Sequence, residues 1–189
     1  YFDLESQRFL GKSYPNREQK IILIADEYAR LDLAHLAIEL ATLLPAHQVY
    51  YKLRPEEYGD WRQRYPRQMS EINNLVVVDH DRVPLYEYFA MCSYQIGTNS
   101  TALYEGIPFG LTTFVLRAGW YEELRILYEG GYAFLVNDAR EIVDMIEGGL
   151  RPSRTLSRES IFRERSLDRI EELVDEIIAG RTTRTTVER

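Results

Sequence analysis

Tyr94-Gln-Ile-Gly-Thr-Asn-Ser-Thr-Ala-Leu-Tyr-Glu-Gly106 changes period in its middle. Its first residues form a short apolar run ending at Gly97, as a buried strand does. From Ser100 to Ile107 the apolar positions recur at helical spacing, and Pro108 and Gly110 punctuate the end. Asn99 or Ser100 suits the cap of that helix. The same strand-then-helix unit repeats on both sides. Upstream, Lys20-Ile-Ile-Leu-Ile-Ala25, Gln48–Leu53 and Leu75–Asp79 read as strands. Downstream, Thr112–Leu116 and Tyr132–Val136 do so. Between them lie a helix carrying Leu33, Leu36, Ala37, Leu40 and Leu44 with Asp32 as its N-cap, a short helix or loop at 56–65, and a helix opened by Pro84. Helices at 121–129 and 138–147 follow. Six strands alternating with helices predict an α/β, Rossmann-like three-layer domain at 20–149 with a parallel sheet.

Residues 1–19 are polar and read as a lead-in from a preceding domain. Residues 150–156 read as a connection. A last helix with Ser157 as N-cap carries the stripe Leu167, Ile170, Leu173, Val174, Ile177 and Ile178, which should pack on the domain or on a partner and through which the chain could dimerise. Residues 181–189 read as a disordered tail.

Composition narrows the function. A net charge of −7 is the wrong sign for a general nucleic-acid binder, which needs surplus cations against phosphate. No apolar run reaches the roughly 20 residues of a membrane span. Cys92, the one cysteine, lies in an apolar helical stretch and reads as a buried thiol in a reducing compartment. There is no Gly-x-Gly-x-x-Gly after the first strand, no Walker sequence and no Gly-x-Ser-x-Gly elbow, so the dehydrogenase, ATPase and α/β-hydrolase fingerprints are missing.

In parallel sheets ligands bind beyond the carboxyl ends of the strands, and three segments there carry usable chemistry. In the first, Gly97 lets the chain turn closely, and Asn99, Ser100 and Thr101 would present N–H groups and hydroxyls to a phosphate. Glu105, one turn on, could accept hydrogen bonds from ribose. The plain alternative is an ordinary N-cap with a surface glutamate. In the second, Lys52-Leu-Arg-Pro-Glu-Glu57, Pro55 stiffens a turn from which Lys52 and Arg54 could reach a phosphate or base; a solvated turn is the alternative. In the third, Asp26 and Glu27 could hold sugar hydroxyls or act as a base, or simply cap the next helix. Asp79-His-Asp81 lacks further metal-ligand spacing and reads as a loop.

Read together, Pro84 to Gly110 resembles the C-terminal, donor-binding half of GT-B glycosyltransferases of bacterial surface and capsular polysaccharide synthesis. Bacterial sialyltransferases and CDP-glycerol glycerophosphotransferases are among them. Their pattern is a strand ending in Gly, a Ser-Ser or Ser-Thr pair, and a Glu one turn later. Lys52–Glu57 resembles their Lys-x-His-Pro-x-Glu segment, with Arg54 where that motif has His. The resemblance implies that Arg54, Pro55, Gly97, Asn99, Ser100, Thr101 and Glu105 bind the nucleotide of an activated sugar or polyol phosphate. It implies no metal and no other cofactor. It also implies a glycan acceptor bound through an N-terminal domain outside this sequence, and a cytoplasmic setting that can be peripheral to the inner membrane. Arginine cannot replace histidine as a general acid near neutral pH, so donor binding carries over better than catalysis, for which Asp26 and Glu27 are the candidates. A UDP-sugar epimerase or hydrolase of the same fold, or a non-catalytic nucleotide-binding or structural domain, are the competing readings.

Overall fold

The computed structural model describes residues 5–155 and 166–178. Six strands, β1 (Lys20–Ile24), β2 (Gln48–Lys52), β3 (Leu75–Val78), β4 (Tyr94–Gly97), β5 (Thr112–Leu116) and β6 (Phe134–Val136), form one sheet. Its order is β3-β2-β1-β4-β5-β6, and every pairing is parallel. The apolar runs form central strands because both faces are covered: Ile21, Ile22, Leu23 and Ile96 have no accessible surface. Successive residues of β1 therefore enter different cores, Ile21 and Leu23 one and Ile22 and Ile24 the other.

The first core lies under α1 (Arg30–Leu43) and α6 (Ala139–Glu147). The second lies under α3 (Leu85–Met91), α4 (Ala102–Gly106) and α5 (Arg125–Glu129). The segment expected as helix or loop at 56–65 is a 3-10 turn, Pro55–Glu57, followed by α2 (Trp61–Arg64). α6 has a side-chain cap: Asp138 accepts from the N–H groups of Arg140 at 2.9 Å and Glu141 at 3.0 Å.

Two helix starts differ from expectation. α1 begins at Arg30, so Asp32 lies in its first turn and is not its N-cap. The turn is closed earlier by Asp26, whose Oδ1 accepts from the N–H groups of Tyr28 at 2.7 Å and Ala29 at 3.3 Å. α4 begins at Ala102, not at Ser100, and runs into a 3-10 turn at Ile107–Phe109. Its brevity follows from Pro108, which has no N–H to extend the ladder, and from Gly110, whose φ of 76° ends it.

The polar lead-in lies against the sheet domain. Phe9 is buried in the second core. The Arg17 guanidinium donates to the carbonyls of Cys92 at 2.6 Å, of Phe89 at 3.5 Å, and of Phe109. Those carbonyls at the end of α3 and of the 3-10 turn have no further helical partner, so the arginine satisfies them. Cys92 is fully buried, and burial pushes its thiol up to about 12.

A second unit follows the sheet domain in the chain. Its helix α7 spans Ser166–Ile178, with Ile170, Leu173, Val174 and Ile177 exposed. The expected cap Ser157 and the tail 181–189 lie outside the described residues. Among the described residues no helix is long and apolar enough to cross a membrane.

Candidate functional site

The strand order reverses direction between β1 and β4. At such a point the two neighbouring crossovers run to opposite faces and leave a crevice beyond the carboxyl ends. A cavity of about 420 Å³ lies there. β1 contributes Asp26, β2 contributes Lys52, Arg54 and Pro55, and β4 contributes Asn99, Ser100 and Thr101. The three segments singled out in the sequence, separated by more than twenty residues each, thus meet in one cleft.

The wall from β2 is held by a buried carboxylate. Glu57, 3% exposed, accepts from Arg30 Nε at 3.0 Å and Tyr65 Oη at 2.8 Å through Oε1, and from the Arg54 N–H at 3.3 Å through Oε2. A carboxylate is tolerated at that depth because it is paired and multiply hydrogen-bonded. Burial, with the neighbouring carboxylate, holds the Tyr65 hydroxyl well above the usual phenol range. Glu57 therefore fixes the Arg54-Pro55 turn from beneath. Sequence reading missed its role because Arg30 lies a strand and a helix away in the chain. The one available signal was a glutamate at the third position after a possible cap.

Arg54 itself stands at the rim, with Nη1 3.2 Å from Glu27 and Nε 3.5 Å from Glu56. Glu27 faces Arg54 and does not line the cleft. Lys52 is more enclosed. Its Nζ donates to the Leu53 carbonyl at 3.1 Å and to the Tyr58 hydroxyl, and lies 3.4 Å from Asp81. Burial lowers the Lys52 ammonium despite the attraction of Asp81. The exposed Asp81 is held below its ordinary value, chiefly by the Tyr58 hydroxyl at 2.5 Å and then by Lys52. Asp79 instead accepts from the Trp61 indole at 2.9 Å. Asp79 and Asp81 thus serve separate side-chain contacts, and among the described residues no group of histidine, cysteine and carboxylate side chains could hold a metal.

The wall from β4 is built with fewer side-chain bonds. Gly97 is buried, and a Cβ there would stand 3.1 Å from Leu103. The strand end and α4 are therefore packed closely behind the loop. The Ser100 hydroxyl accepts from the Ala102 N–H at 3.3 Å, and the Ser100 and Thr101 carbonyls accept from Leu103 and Tyr104. Thr98 is fully buried, and its hydroxyl has no partner among the described residues. Glu105 is half-buried behind this wall. It accepts from Tyr86 Oη at 2.6 Å and does not line the cleft. Of the residues expected to meet a ligand, Asp26, Arg54, Pro55, Asn99, Ser100 and Thr101 line the cleft, while Glu27, Gly97 and Glu105 stand around it.

No family model matches the sequence, and no curated protein does. Solved structures do. The C-terminal domain of the glycosyl transferase group 1 family protein LpcC from Francisella tularensis aligns with a TM-score of 0.52 at 12% identity, covering 76% of this chain and 85% of that one. The glycotransferase of kitacinnamycin aligns with a TM-score of 0.50 at 14% identity, covering 90% of this chain. The match takes in 42% of that enzyme, less than half its length. The C-terminal CMP-Kdo binding domain of WaaA from Acinetobacter baumannii aligns with a TM-score of 0.48 at 13% identity, over 78% of this chain and 88% of that one. At these identities the likeness is one of fold. The chain has the α/β, Rossmann-like architecture of the C-terminal half of GT-B enzymes, with all six strands parallel.

Proposed function

We propose that this domain binds the nucleotide of an activated sugar or polyol phosphate in the cleft between β1 and β4, as the donor-binding part of a glycosyltransferase of surface polysaccharide synthesis. One observation carries the reading: Asp26, Lys52, Arg54, Pro55, Asn99, Ser100 and Thr101 arrive from three strands around one cavity at the topological switch point. Fold alone permits many functions; polar groups converging in that crevice favour a ligand with both phosphate and hydroxyl groups.

In this reading the phosphate meets the Asn99–Thr101 loop. The hydroxyls of Ser100 and Thr101 and the side-chain amide of Asn99 donate to its oxygens, the first N–H groups of α4 being already bonded within the turn. α4 spans Ala102–Gly106, too short for a large macrodipole, so local hydrogen bonds dominate. Lys52 and Arg54 supply cationic charge from the opposite wall and lower the cost of the departing phosphate without a metal. Glu105 serves the ribose only after rotating away from Tyr86. Asp26 has Oδ1 committed to the α1 turn, which suits a wall better than a base. The base, and the main part of the acceptor site, are then supplied by another domain of the enzyme.

The test is a thermal-shift screen with CMP, CDP, UDP and GDP, followed by calorimetry. A ligand that binds the native state raises its melting temperature by mass action. Stabilisation by at least one nucleotide is expected. No shift with any of them, and no heat of binding, would remove this reading.

A further inference from the structure

Tyr28 and Trp120 lie face to face at the same carboxyl edge of the sheet. Their ring centroids are 4.5 Å apart and the planes differ by 7°. Both are more than half exposed, 57% and 54%, although stacking and burying such rings is ordinarily favourable. The pair is held in place from both sides. Asp26 pins the N–H groups of Tyr28 and Ala29, so the tyrosine ring projects outward from the turn before α1. Gly119 adopts a φ of 56°, and a Cβ there would lie 3.1 Å from that of Ala29. A left-handed residue pressed against Ala29 brings Trp120 over Tyr28, and only glycine fits without strain. The nearest exposed apolar side chain along α1, Leu31, is one turn from Tyr28.

We propose that this aromatic pair is a stacking platform for a neutral or amino-bearing pyranose ring of the acceptor glycan; the assignment of the sugar as acceptor rests on the donor-cleft reading above. Three features select this ligand. The pair shares Asp26 with the cleft wall, so a ring on it would stand beside the donor site. The exposed carboxylates of Asp32, Glu122 and Glu123 adjoin the two aromatic residues in the chain. They accept hydrogen bonds from sugar hydroxyls and repel anions, which disfavours a nucleoside phosphate at this spot. Arg117, the cation nearest Trp120 in the chain, is engaged over the Tyr121 ring at 5.6 Å. The apolar patch of Tyr28, Leu31 and Trp120 is also far below the roughly 800 Å² per partner of a stable protein interface, while two rings match one or two sugar units.

Trp61 is 3% exposed, so emission accessible to acrylamide reports Trp120, the other of the two tryptophans. The full chain is titrated with maltotriose, chitotriose, the glucosamine trimer and trigalacturonate. Emission and quenching are followed, and the same samples are titrated with CMP, CDP, UDP and GDP by calorimetry. At least one neutral or amino trimer is expected to shift the emission saturably and protect Trp120 from quenching, whereas trigalacturonate does neither. Tyr28→Ala, and Trp120→Ala read by calorimetry, should weaken that sugar by about tenfold or more, one aromatic contact's worth, with nucleotide affinity unchanged within twofold. No response to any neutral or amino trimer overturns the proposal, as does a response to nucleotide alone or retained sugar affinity in both variants. If nucleotides bind while sugars do not, the donor-cleft reading survives and the platform fails. If neither binds, both fail.

Discussion

The loops after β2 and after β4 face each other across one cleft and are built in opposite ways. The β2 loop is fastened by side chains: Glu57 alone accepts from Arg30, Tyr65 and the Arg54 backbone, and Lys52 is tied to Tyr58 and Asp81. The β4 loop is fastened mainly by its backbone and by close packing at Gly97 behind it. A loop whose polar groups are spent on the fold is a scaffold. A loop that leaves the side chains of Asn99, Ser100 and Thr101 unspent, apart from one bond at Ser100 Oγ, has chemistry left for a ligand. Substitutions in the two loops should therefore separate stability from binding.

The largest expected effect is on the scaffold side. Glu57→Ala removes the carboxylate that Arg30 and Tyr65 share among the described residues, so the partly exposed guanidinium and the buried hydroxyl both lose their charged partner. Breaking a buried pair in this way costs about 3–5 kcal/mol, less here because Arg30 is partly exposed, so about 3 kcal/mol is expected. Urea unfolding monitored by circular dichroism checks it. A loss under about 1 kcal/mol would mean that the β2 loop is no more tightly built than its neighbour.

Next in size is a packing effect behind the β4 loop. A Cβ on Gly106 would fall 2.0 Å from Gln95 Oε1 and 2.6 Å from its Cδ. Gln95 is fully buried and already bonded to the Leu103 carbonyl at 2.7 Å and Thr113 Oγ1 at 2.8 Å. It cannot swing aside without losing both. Gly106→Ala should cost about 1–3 kcal/mol, the usual range for overpacking, read from the same denaturation curves. Wild-type stability would show that α4 can slide on the sheet and that the loop ahead of it is not rigidly backed.

Much of this contrast was legible in the sequence at the level of elements and little at the level of contacts. Short continuous apolar runs such as Ile21–Ile24, alternating with helical patterns and bounded by turn residues, suit strands covered on both faces, and that alternation led to the parallel sheet. The switch point then selected the segments that line the cleft. Asp32 misled because a carboxylate just before an apolar stripe looks like a cap, whereas Asp26 closes the turn six residues earlier. Glu57 was opaque for a different reason. Its partners Arg30 and Tyr65 come together only when α1 and the segment after β2 are packed, and no local spacing encodes that. The Tyr28–Trp120 pair was hidden likewise, since its rings come from loops 92 residues apart.

On the ligand side, Ser100→Ala combined with Thr101→Ala should weaken the best-binding nucleotide by about tenfold or more, or 1.4 kcal/mol. Ser100 Oγ also accepts from Ala102 N–H, so about 1 kcal/mol of stability or less should go with it. Calorimetry on variant shown to be folded separates the two. Unchanged affinity would place the phosphate elsewhere and break the division between the loops.

The smallest effect is the most discriminating. Arg54 stands at the rim of the β2 loop, and its guanidinium lies between Glu27 and Glu56 with 43% of the side chain exposed. Exposed pairs of this kind contribute about 0–1 kcal/mol, so Arg54→Ala should leave stability within about 0.5 kcal/mol of wild type. Binding is another matter. A phosphate would have to draw the guanidinium from two carboxylates, so much of its attraction is already offset. A two- to threefold loss of nucleotide affinity is expected, on the order of 0.5 kcal/mol. That loss should shrink with added salt, because the groups are solvent-screened. Were Arg54→Ala instead to abolish binding, the arginine would be the principal phosphate contact, and the β2 loop would have to be counted as ligand machinery and scaffold at once. Glu27→Gln sharpens the choice. Removing that carboxylate's charge frees Arg54, so affinity should rise slightly if the guanidinium competes between Glu27 and phosphate, and stay constant if it never reaches the ligand.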